Sequence, residues 1–369
     1  MKEYIRLIFT FFFSTLTIIS SVIINESNLF FSSLIRDDNH QTVSDQWLLH
    51  MLSAENHYFY PETDDQGTSI IQQALQLTTN INLKDVRSLI YEEIPGLFTI
   101  TSEIIVAGEG TDFTNIPIES SPPIEELLKE REVEEKSLEN VPDQKQKTPV
   151  EQPEKNTVFI YHSHNRESFL PHLKNTNDPS DAQHKEINIT LVGQRLGEEL
   201  IEKGIGAVVD TTDIPSILFE RDWKYWQSYD VSREIVEEAL ATNENFAYLF
   251  DIHRDSVGRN ATTTTIDGKQ YAKIYFVIGK SHENYKENEK FAIELNRMIE
   301  EKYPSLTRGI VRKDKTTGNG VYNQDLSERS IIIEIGGIEN TLDELYNTVE
   351  LFAEIFAEFY YHDAIQVNG

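Results

Sequence analysis

The sequence predicts an α/β protein whose mostly parallel sheet is covered by helices on both faces. From Thr157 onward, short apolar runs typical of buried strands alternate with amphipathic stretches typical of helices. Such alternation builds parallel sheets, because each helix carries the chain back to the start of the next strand. Three of the predicted strands also end in His or Glu, at the edge of the sheet where α/β proteins bind their ligands.

The elements of this domain, residues 157–369, follow one another regularly. The first strand, TVFIYHSH, precedes an amphipathic helix, ITLVGQRLGEELIEKG, which ends at Gly204. The later elements are the strand IGAVVD, the helix SREIVEEALAT, the strands FAYLFDIH and YAKIYFVIG, the helix YKENEKFAIELNRMIEEKYP, the strand SIIIEIG and the helix LDELYNTVELFAEIFAEFYY. Residues 157–369 are therefore the largest predicted domain of the chain.

The N-terminal residues predict a membrane anchor. Residues 7–24 form an uncharged run rich in Phe, Ile and Leu, which is long enough to approach a bilayer span. Because Lys2 and Arg6 precede this run, we expect the N-terminus to stay in the cytoplasm and the rest of the chain to be exported. The alternative is a cleaved signal peptide, but no Ala occurs before Ala54 to form a typical cleavage site. Residues 1–25 are thus a predicted single-pass anchor in the cell membrane, with the remainder extracytoplasmic.

Two regions separate the anchor from the large domain. Residues 26–107 contain helix-spaced apolar residues, as in WLLHMLSAENHYF, followed by the strand-like FTITSEIIVAG. They predict a small, helix-rich, membrane-proximal region. Residues 108–156 are rich in Glu, Lys, Gln, Ser and Pro, a composition that buries too little apolar surface to pack. We expect an extended acidic linker there, with a short helix within IEELLKEREVEEKSLEN.

Charge and cysteine content exclude several functions. The net charge is −29, from 33 Lys and Arg against 62 Asp and Glu. This balance argues against a protein whose main role is to bind nucleic acid, which needs basic patches. The chain has no cysteine, which excludes disulfides, thiol catalysis and cysteine-ligated zinc. Any metal must therefore be held by His, Asp and Glu.

Candidate metal ligands follow two of the predicted strands. His164 comes three residues before Glu167, a pairing that can place an imidazole and a carboxylate on one metal but is a weak signal alone. His253 is followed by Arg254 and Asp255, and such a charged cluster directly after a buried strand is hard to explain by packing. His162 lies two residues before His164 and is predicted to be structural.

Glu334 is a candidate catalytic residue because it follows three isoleucines within an apolar strand. A buried carboxylate is retained when it binds a cation or when its raised pKa suits proton transfer. The alternative is a strand-end carboxylate that pairs with Arg308 or Arg329. Both interpretations are open on sequence chemistry alone.

Seven strings of this chain resemble the stage II sporulation protein P family, in the same order. They are IYHSHNRESFLP, INITLVGQRL, DIHRDS, YFVIG, LTRGIV, YNQDLS and IIIEIGGIENT. That family is similar to the zinc-dependent N-acetylmuramoyl-L-alanine amidases. The resemblance implies an amidase-like fold, a Zn²⁺ cofactor and hydrolysis of peptidoglycan at the amide between N-acetylmuramic acid and L-alanine during engulfment in sporulation. It also implies cleavage of peptide cross-links.

The same resemblance implies roles for individual residues. His164 and His253 take the histidine ligand positions, and Glu334 takes that of the catalytic carboxylate. The third ligand stays open between Glu167, which belongs to the HSHNRES string, and Glu186, which matches the start of the amidase helix. Two His and one Glu would leave a coordination position open for water.

Further expectations concern substrate and partners. Arg254 or Arg308 would stabilise the oxyanion, and Asn323 and Gln324 in YNQDLS would bind the stem peptide or cap a loop. The expected partners are peptidoglycan, a lytic transglycosylase (stage II sporulation protein D) and a membrane protein (stage II sporulation protein M). The alternative function is a noncatalytic wall-binding scaffold in a membrane-anchored remodelling complex.

Overall fold

The computed structural model describes residues 102–112, 115–117, 122–134, 153–176 and 178–368 of the chain. They belong to one compact unit that begins at Glu93. The predicted anchor, residues 1–25, and nearly all of the predicted membrane-proximal region, 26–107, lie outside the described residues. Among the described helices, none is both long and apolar enough to cross a membrane.

The described residues form nine strands and seven α-helices. The strands are β1 (Glu103–Ala107), β2 (Asn156–Tyr161), β3 (Gly206–Val209), β4 (Tyr248–Asp255), β5 (Thr263–Ile266), β6 (Lys269–Ala272), β7 (Ile274–Gly279), β8 (Thr307–Lys313) and β9 (Ser330–Gly337). The helices are α1 (Ile124–Leu127), α2 (Thr190–Glu202), α3 (Ile214–Glu220), α4 (Ser228–Thr242), α5 (Arg259–Thr262), α6 (Tyr285–Lys302) and α7 (Leu342–Asn368).

Seven of these strands form one mixed sheet, in the order β1-β8-β7-β9-β4-β2-β3. Four neighbouring pairs are parallel, while β1 with β8 and β7 with β9 are antiparallel. The prediction of a mostly parallel sheet in an α/β protein is confirmed. The antiparallel pair β7 and β9 was not predicted. It is possible because the β5-β6 hairpin, rather than a long crossover helix, precedes β7 in the chain.

Alternate residues of β2 show that helices cover both faces of the sheet. Val158 and Ile160 pack in the main core with residues of α2, α6 and α7. Phe159 and Tyr161 point to the other face, where they pack with Val236 of α4. Full burial of an aliphatic or aromatic side chain contributes about 1.5–3 kcal/mol, so both faces contribute to stability.

The sheet includes a strand from outside the predicted α/β domain, residues 157–369. Strand β1 pairs with β8 at the edge of the sheet, although its residues fall at the end of the predicted membrane-proximal region. Helix α1 lies in the predicted linker, yet Ile124 and Leu127 are buried with Ile214 and Leu218 of α3. The described part of the linker is therefore packed rather than extended. The apolar residues spaced through IEEL supply the surface that a tether would lack.

Candidate metal centre

The carboxyl ends of β2 and β4 bring three candidate ligands together. Strands β2 and β4 are parallel neighbours, so His164, three residues beyond β2, comes close to His253 near the end of β4. Glu167 follows His164 on the same turn, because its amide donates to the His164 carbonyl at 3.1 Å. One ligand atom from each of His164, Glu167 and His253 lies within 4.8 Å of the others. These are the residues that could hold a metal ion.

A buried carboxylate orients the His253 ring. Nε2 of His253 lies 2.9 Å from Oδ1 of Asp251, and Nδ1 lies 3.8 Å from Oε2 of Glu167. Asp251 is itself fixed, because Ser163 donates to it from its amide at 2.8 Å and from Oγ at 2.6 Å. A metal-binding histidine typically has its second ring nitrogen held in this way. Nδ1 is thus the atom that His253 presents to the site.

The His164 ring is oriented in the same manner. Its Nε2 lies 3.0 Å from Oγ of Ser228, which leaves Nδ1 facing Glu167 at 3.5 Å. The His164 ring also stacks on Tyr225, with centroids 4.7 Å apart, and meets the edge of the His253 ring at 4.9 Å. Asp251 and Ser228 were not predicted from the sequence. For Asp251 a signal existed, because residues two apart on a strand share a face.

Glu167 is held as an ionised carboxylate. Its Oε2 accepts a hydrogen bond from the backbone amide of Arg254 at 2.8 Å. Burial alone would raise its pKa, but the hydrogen bond with His164 and the positive charges of His253 and Arg254 lower the pKa to about 2. Glu167 can therefore serve as an anionic ligand across the physiological pH range.

The structure separates the two glutamates between which the sequence could not decide. Glu167 lies in the cluster, whereas Glu186 is exposed and lies outside it. The Glu186 amide donates to Nδ1 of His184 at 3.0 Å, in the loop that precedes α2. Because α2 begins only at Thr190, Glu186 is not on the first turn of a helix directed at the site. The structure therefore brings Glu167, and not Glu186, together with the two histidines.

Glu334 lies beside the cluster without the ion pair that its alternative interpretation requires. It is opposite His253 in the register of β9 and β4. Its Oε2 is buried and has no hydrogen-bond partner among the described residues. Arg308 pairs with Asp255 instead, and Arg329 pairs with Asp363 at 2.7 Å. The alternative interpretation, in which Glu334 pairs with one of these arginines, is therefore not what the structure shows.

The electrostatics of the site favour bound positive charge. Burial, with the negative charges of Asp255 and Glu167, raises the pKa of Glu334 to about 8 against the opposing effects of His253 and Lys313. Burial would lower the pKa of His253, but Asp251, Glu167 and Glu334 outweigh it and raise the pKa to about 10. In the absence of a cation, the cluster thus retains protons on His253 and Glu334 at neutral pH. A divalent cation would replace that positive charge.

These groups open onto a cavity of about 620 Å³. Tyr225 and Tyr229 line it beside the ligands, and the Glu334, Asp255 and Lys313 side chains lie on the sheet side. Arg254 also lines the cavity, but its guanidinium donates to the carbonyls of Asp255 at 3.2 Å and Ala182 at 3.1 Å. The space is large enough for a peptide or sugar fragment.

Three residues predicted to contact substrate have structural contacts instead. Arg308 is buried, pairs with Asp255, donates to the Asn115 carbonyl and lies 4.7 Å from the Tyr275 ring centroid. Asn323 donates to the Tyr229 carbonyl at 3.1 Å and to Ser232 Oγ at 3.0 Å. Gln324 bridges the Gly279 amide and the Val277 carbonyl, each at 2.9 Å. Arg308, Asn323 and Gln324 are not among the residues that line the cavity in the described part of the chain.

His162 has structural contacts and lies outside the cluster of candidate ligands. Its Nδ1 lies 2.9 Å from the Asp210 carbonyl, and burial lowers its pKa to about 4. Its ring fills the space next to Gly193 of α2, where a Cβ would lie only 2.2 Å from Nε2. Glycine at position 193 therefore allows α2 to approach the sheet closely.

Fold and site together define an α/β protein with a two-histidine, one-glutamate candidate metal centre and an unpaired carboxylate beside it. A family model for stage II sporulation protein P matches residues 84–357. The chain is also 45% identical over 327 residues to stage II sporulation protein P of Bacillus subtilis, covering 87% of this chain and 81% of that relative. The chain belongs to the stage II sporulation protein P family.

Proposed function

We propose that this protein is a sporulation cell-wall hydrolase that cleaves the amide between N-acetylmuramic acid and L-alanine in peptidoglycan. The observation that carries the proposal is the cluster of His164, Glu167 and His253 beside Glu334, whose Oε2 is buried without a partner among the described residues. Family membership supports the sporulation role. Cleavage of peptide cross-links is a second activity within the same proposal.

Zinc is the metal that we propose for this centre. Zn²⁺ in hydrolytic sites is bound by three protein ligands, commonly two His and one Glu. Here Nδ1 of His164, Nδ1 of His253 and the Glu167 carboxylate would hold it. When bound, the ion would supply Lewis acidity to the scissile carbonyl and to the attacking water.

Glu334 is the residue that we propose moves the proton. It would accept a proton from the attacking water and donate it to the leaving amine nitrogen of L-alanine. Positive charge in the cluster favours its ionised form, which is the form that accepts a proton. Tyr225 and Tyr229 pack against the His164 ring and restrict water on that side of the site.

The deciding experiment is digestion of purified peptidoglycan by the full-length protein, followed by mass spectrometry of the products. We expect free stem peptides with an N-terminal L-alanine, and loss of activity in chelator that added zinc restores. Peptides released only from cross-links would instead assign an endopeptidase. Wall binding without any released peptide would favour the noncatalytic scaffold.

Location and partners are part of the same proposal. We propose that residues 1–25 anchor the protein in the cell membrane with the described unit outside, where peptidoglycan lies. Protease added to intact protoplasts should then degrade this unit. We also propose action beside a lytic transglycosylase and a membrane protein, stage II sporulation proteins D and M, which affinity purification of the full-length protein from sporulating cells would test.

A further inference from the structure

A second concave surface, which we call the aromatic groove, adjoins the cavity of the metal centre. It has a volume of about 430 Å³. Its apolar lining consists of Pro122, Pro123, Ile124, Phe219, Trp223, Tyr225 and Trp226. Pro122, Pro123 and Tyr225 line the metal-centre cavity as well, so the two spaces share a wall. The two spaces are therefore neighbours on the surface of the described unit.

We propose that the aromatic groove is a subsite for the glycan strand of peptidoglycan, in which an N-acetylated amino sugar stacks on Trp226 and Phe219. The inference rests on the proposed function, because it assigns the place of the sugar portion of that substrate. It adds residues to which neither the family resemblance nor the metal centre gives a role.

The exposure of two aromatic rings is the first argument for a sugar. Trp226 is 63% exposed and Phe219 is 58% exposed, the highest values among the large hydrophobic side chains that are exposed in the described residues. Ile293 on α6 and Tyr361 on α7 are less exposed and do not line the groove. Paired exposed rings in a groove mark a binding surface, and the C–H face of a sugar ring is an apolar surface of matching size.

The groove is also held rigid, which favours binding. Arg166 donates to the Leu127 carbonyl at 2.8 Å and to Asp213 at 2.8 and 2.6 Å, and so joins α1 to the start of α3. Arg221 lies 4.9 Å from the Trp223 ring centroid and pairs with Glu234 at 2.8 Å. Trp223 is thereby partly covered, whereas the rings of Trp226 and Phe219 stay exposed. A preformed platform loses little conformational entropy on binding.

The position of Tyr225 connects the groove to the reaction. Its ring stacks on the proposed ligand His164 and also lines the groove. In muramic acid, the sugar ring is separated from the scissile amide only by the lactyl group. A substrate with its amide at the metal centre therefore places the sugar ring within reach of the adjoining space.

Charge distinguishes the glycan from the stem peptide as the occupant. The charged residues of the groove are Glu125, Asp222 and Lys224, one more negative than positive. A stem peptide carries carboxylates, which this rim would repel, whereas the glycan backbone is uncharged. The groove therefore fits the sugar chain better than the peptide.

The test is binding of an uncharged tetrasaccharide of N-acetylglucosamine to the full-length protein, measured by calorimetry. We expect Trp226→Ala and Phe219→Ala each to weaken binding about tenfold or more, the usual effect of truncating an aromatic anchor. Ile293→Ala, which removes an exposed apolar side chain elsewhere, should bind as the wild type does. A thermal melt of each variant should be unchanged, because both rings are exposed.

The outcomes separate this inference from the proposed function. If the wild type binds the tetrasaccharide and both aromatic variants bind it more weakly, but the wild type releases no peptide from the wall, the groove stands and the hydrolase does not. Wild-type affinity in both aromatic variants would overturn the groove. The groove would also be overturned if the aromatic variants kept their affinity for the sugar but bound a free stem peptide more weakly. The same holds if they kept that affinity but lost a dimer that the wild type forms in sedimentation.

Discussion

Replacement of Glu334 by Gln separates proton transfer from metal binding. The change nearly preserves size but removes the base, so we expect turnover to fall by about 10²- to 10⁴-fold, the usual contribution of a positioned acid–base group. Zinc should remain, because the three proposed ligands are His164, Glu167 and His253. The side chain of Glu334 has no hydrogen bond on Oε2 to lose among the described residues.

The same substitution should stabilise the metal-free protein. The pKa of Glu334 rises from 4.5 to about 8 on folding, so the folded state holds a proton that the unfolded chain releases between these pH values. Wild-type stability therefore falls as pH rises through this window, by at most about 1.4 kcal/mol per pH unit. At pH 7, 2.5 units above the unperturbed pKa, the cost reaches at most about 3.4 kcal/mol, which Gln avoids. We expect Glu334→Gln to be about 1–3 kcal/mol more stable there.

The assay combines wall digestion, a zinc count by elemental analysis and urea unfolding in chelator at pH 4.5 and pH 7, all on one preparation. The free energy of unfolding of the variant should exceed that of the wild type by a small amount at pH 4.5 and by a larger amount at pH 7. Near-normal turnover would refute Glu334 as the base. Loss of zinc together with turnover would make Glu334 a ligand. If the variant and the wild type were equally stable at both pH values, the raised pKa of Glu334 would be refuted.

Four further predictions follow from the contacts around the site. His164→Ala and His253→Ala should each lose zinc, and full occupancy in both variants would exclude a shared site. Asp251→Asn should weaken zinc binding about 10- to 100-fold in a competition titration while the fold persists. Arg308→Ala should destabilise by about 3–5 kcal/mol in urea, because it leaves Asp255 buried without its charge partner. Glu186→Ala should keep zinc and lie within about 0.5 kcal/mol of wild type, and zinc loss there would restore it as the ligand.

The alternating strands and helices could be predicted because each carries its own hydrophobic period. The run FAYLFDIH became β4, and SIIIEIG became β9, close to their predicted limits. Strand β8 was missed because Arg308 and Arg312 interrupt its apolar pattern. Arg308 can be buried there only because Asp255 on a distant strand meets its charge, and no local pattern reports such a partner.

The proposed ligands could be predicted from the sequence, but the choice between Glu167 and Glu186 and the residues around the ligands could not. Adjacency of β2 and β4 brings His164 to His253, and the backbone amide of Arg254 donates a hydrogen bond that holds Glu167 beside them. Glu186 also matched a motif in the sequence, but its side chain is exposed in the folded protein. The aromatic groove was also invisible, because α1 and the segment after α3 meet only in the folded chain.

Four carboxylates lie in or beside the candidate metal centre, and they differ in their hydrogen-bond and ion-pair partners. Asp251 accepts two hydrogen bonds from Ser163, and Asp255 pairs with Arg308. Glu167 accepts a hydrogen bond from the backbone amide of Arg254. Only Glu334 has a buried oxygen with no hydrogen-bond donor among the described residues. A carboxylate that is already bonded is fixed as an orienting group or a ligand, because moving a proton onto it would break those bonds. Glu334 alone can gain and lose a proton without that cost, which is the property that a general base requires.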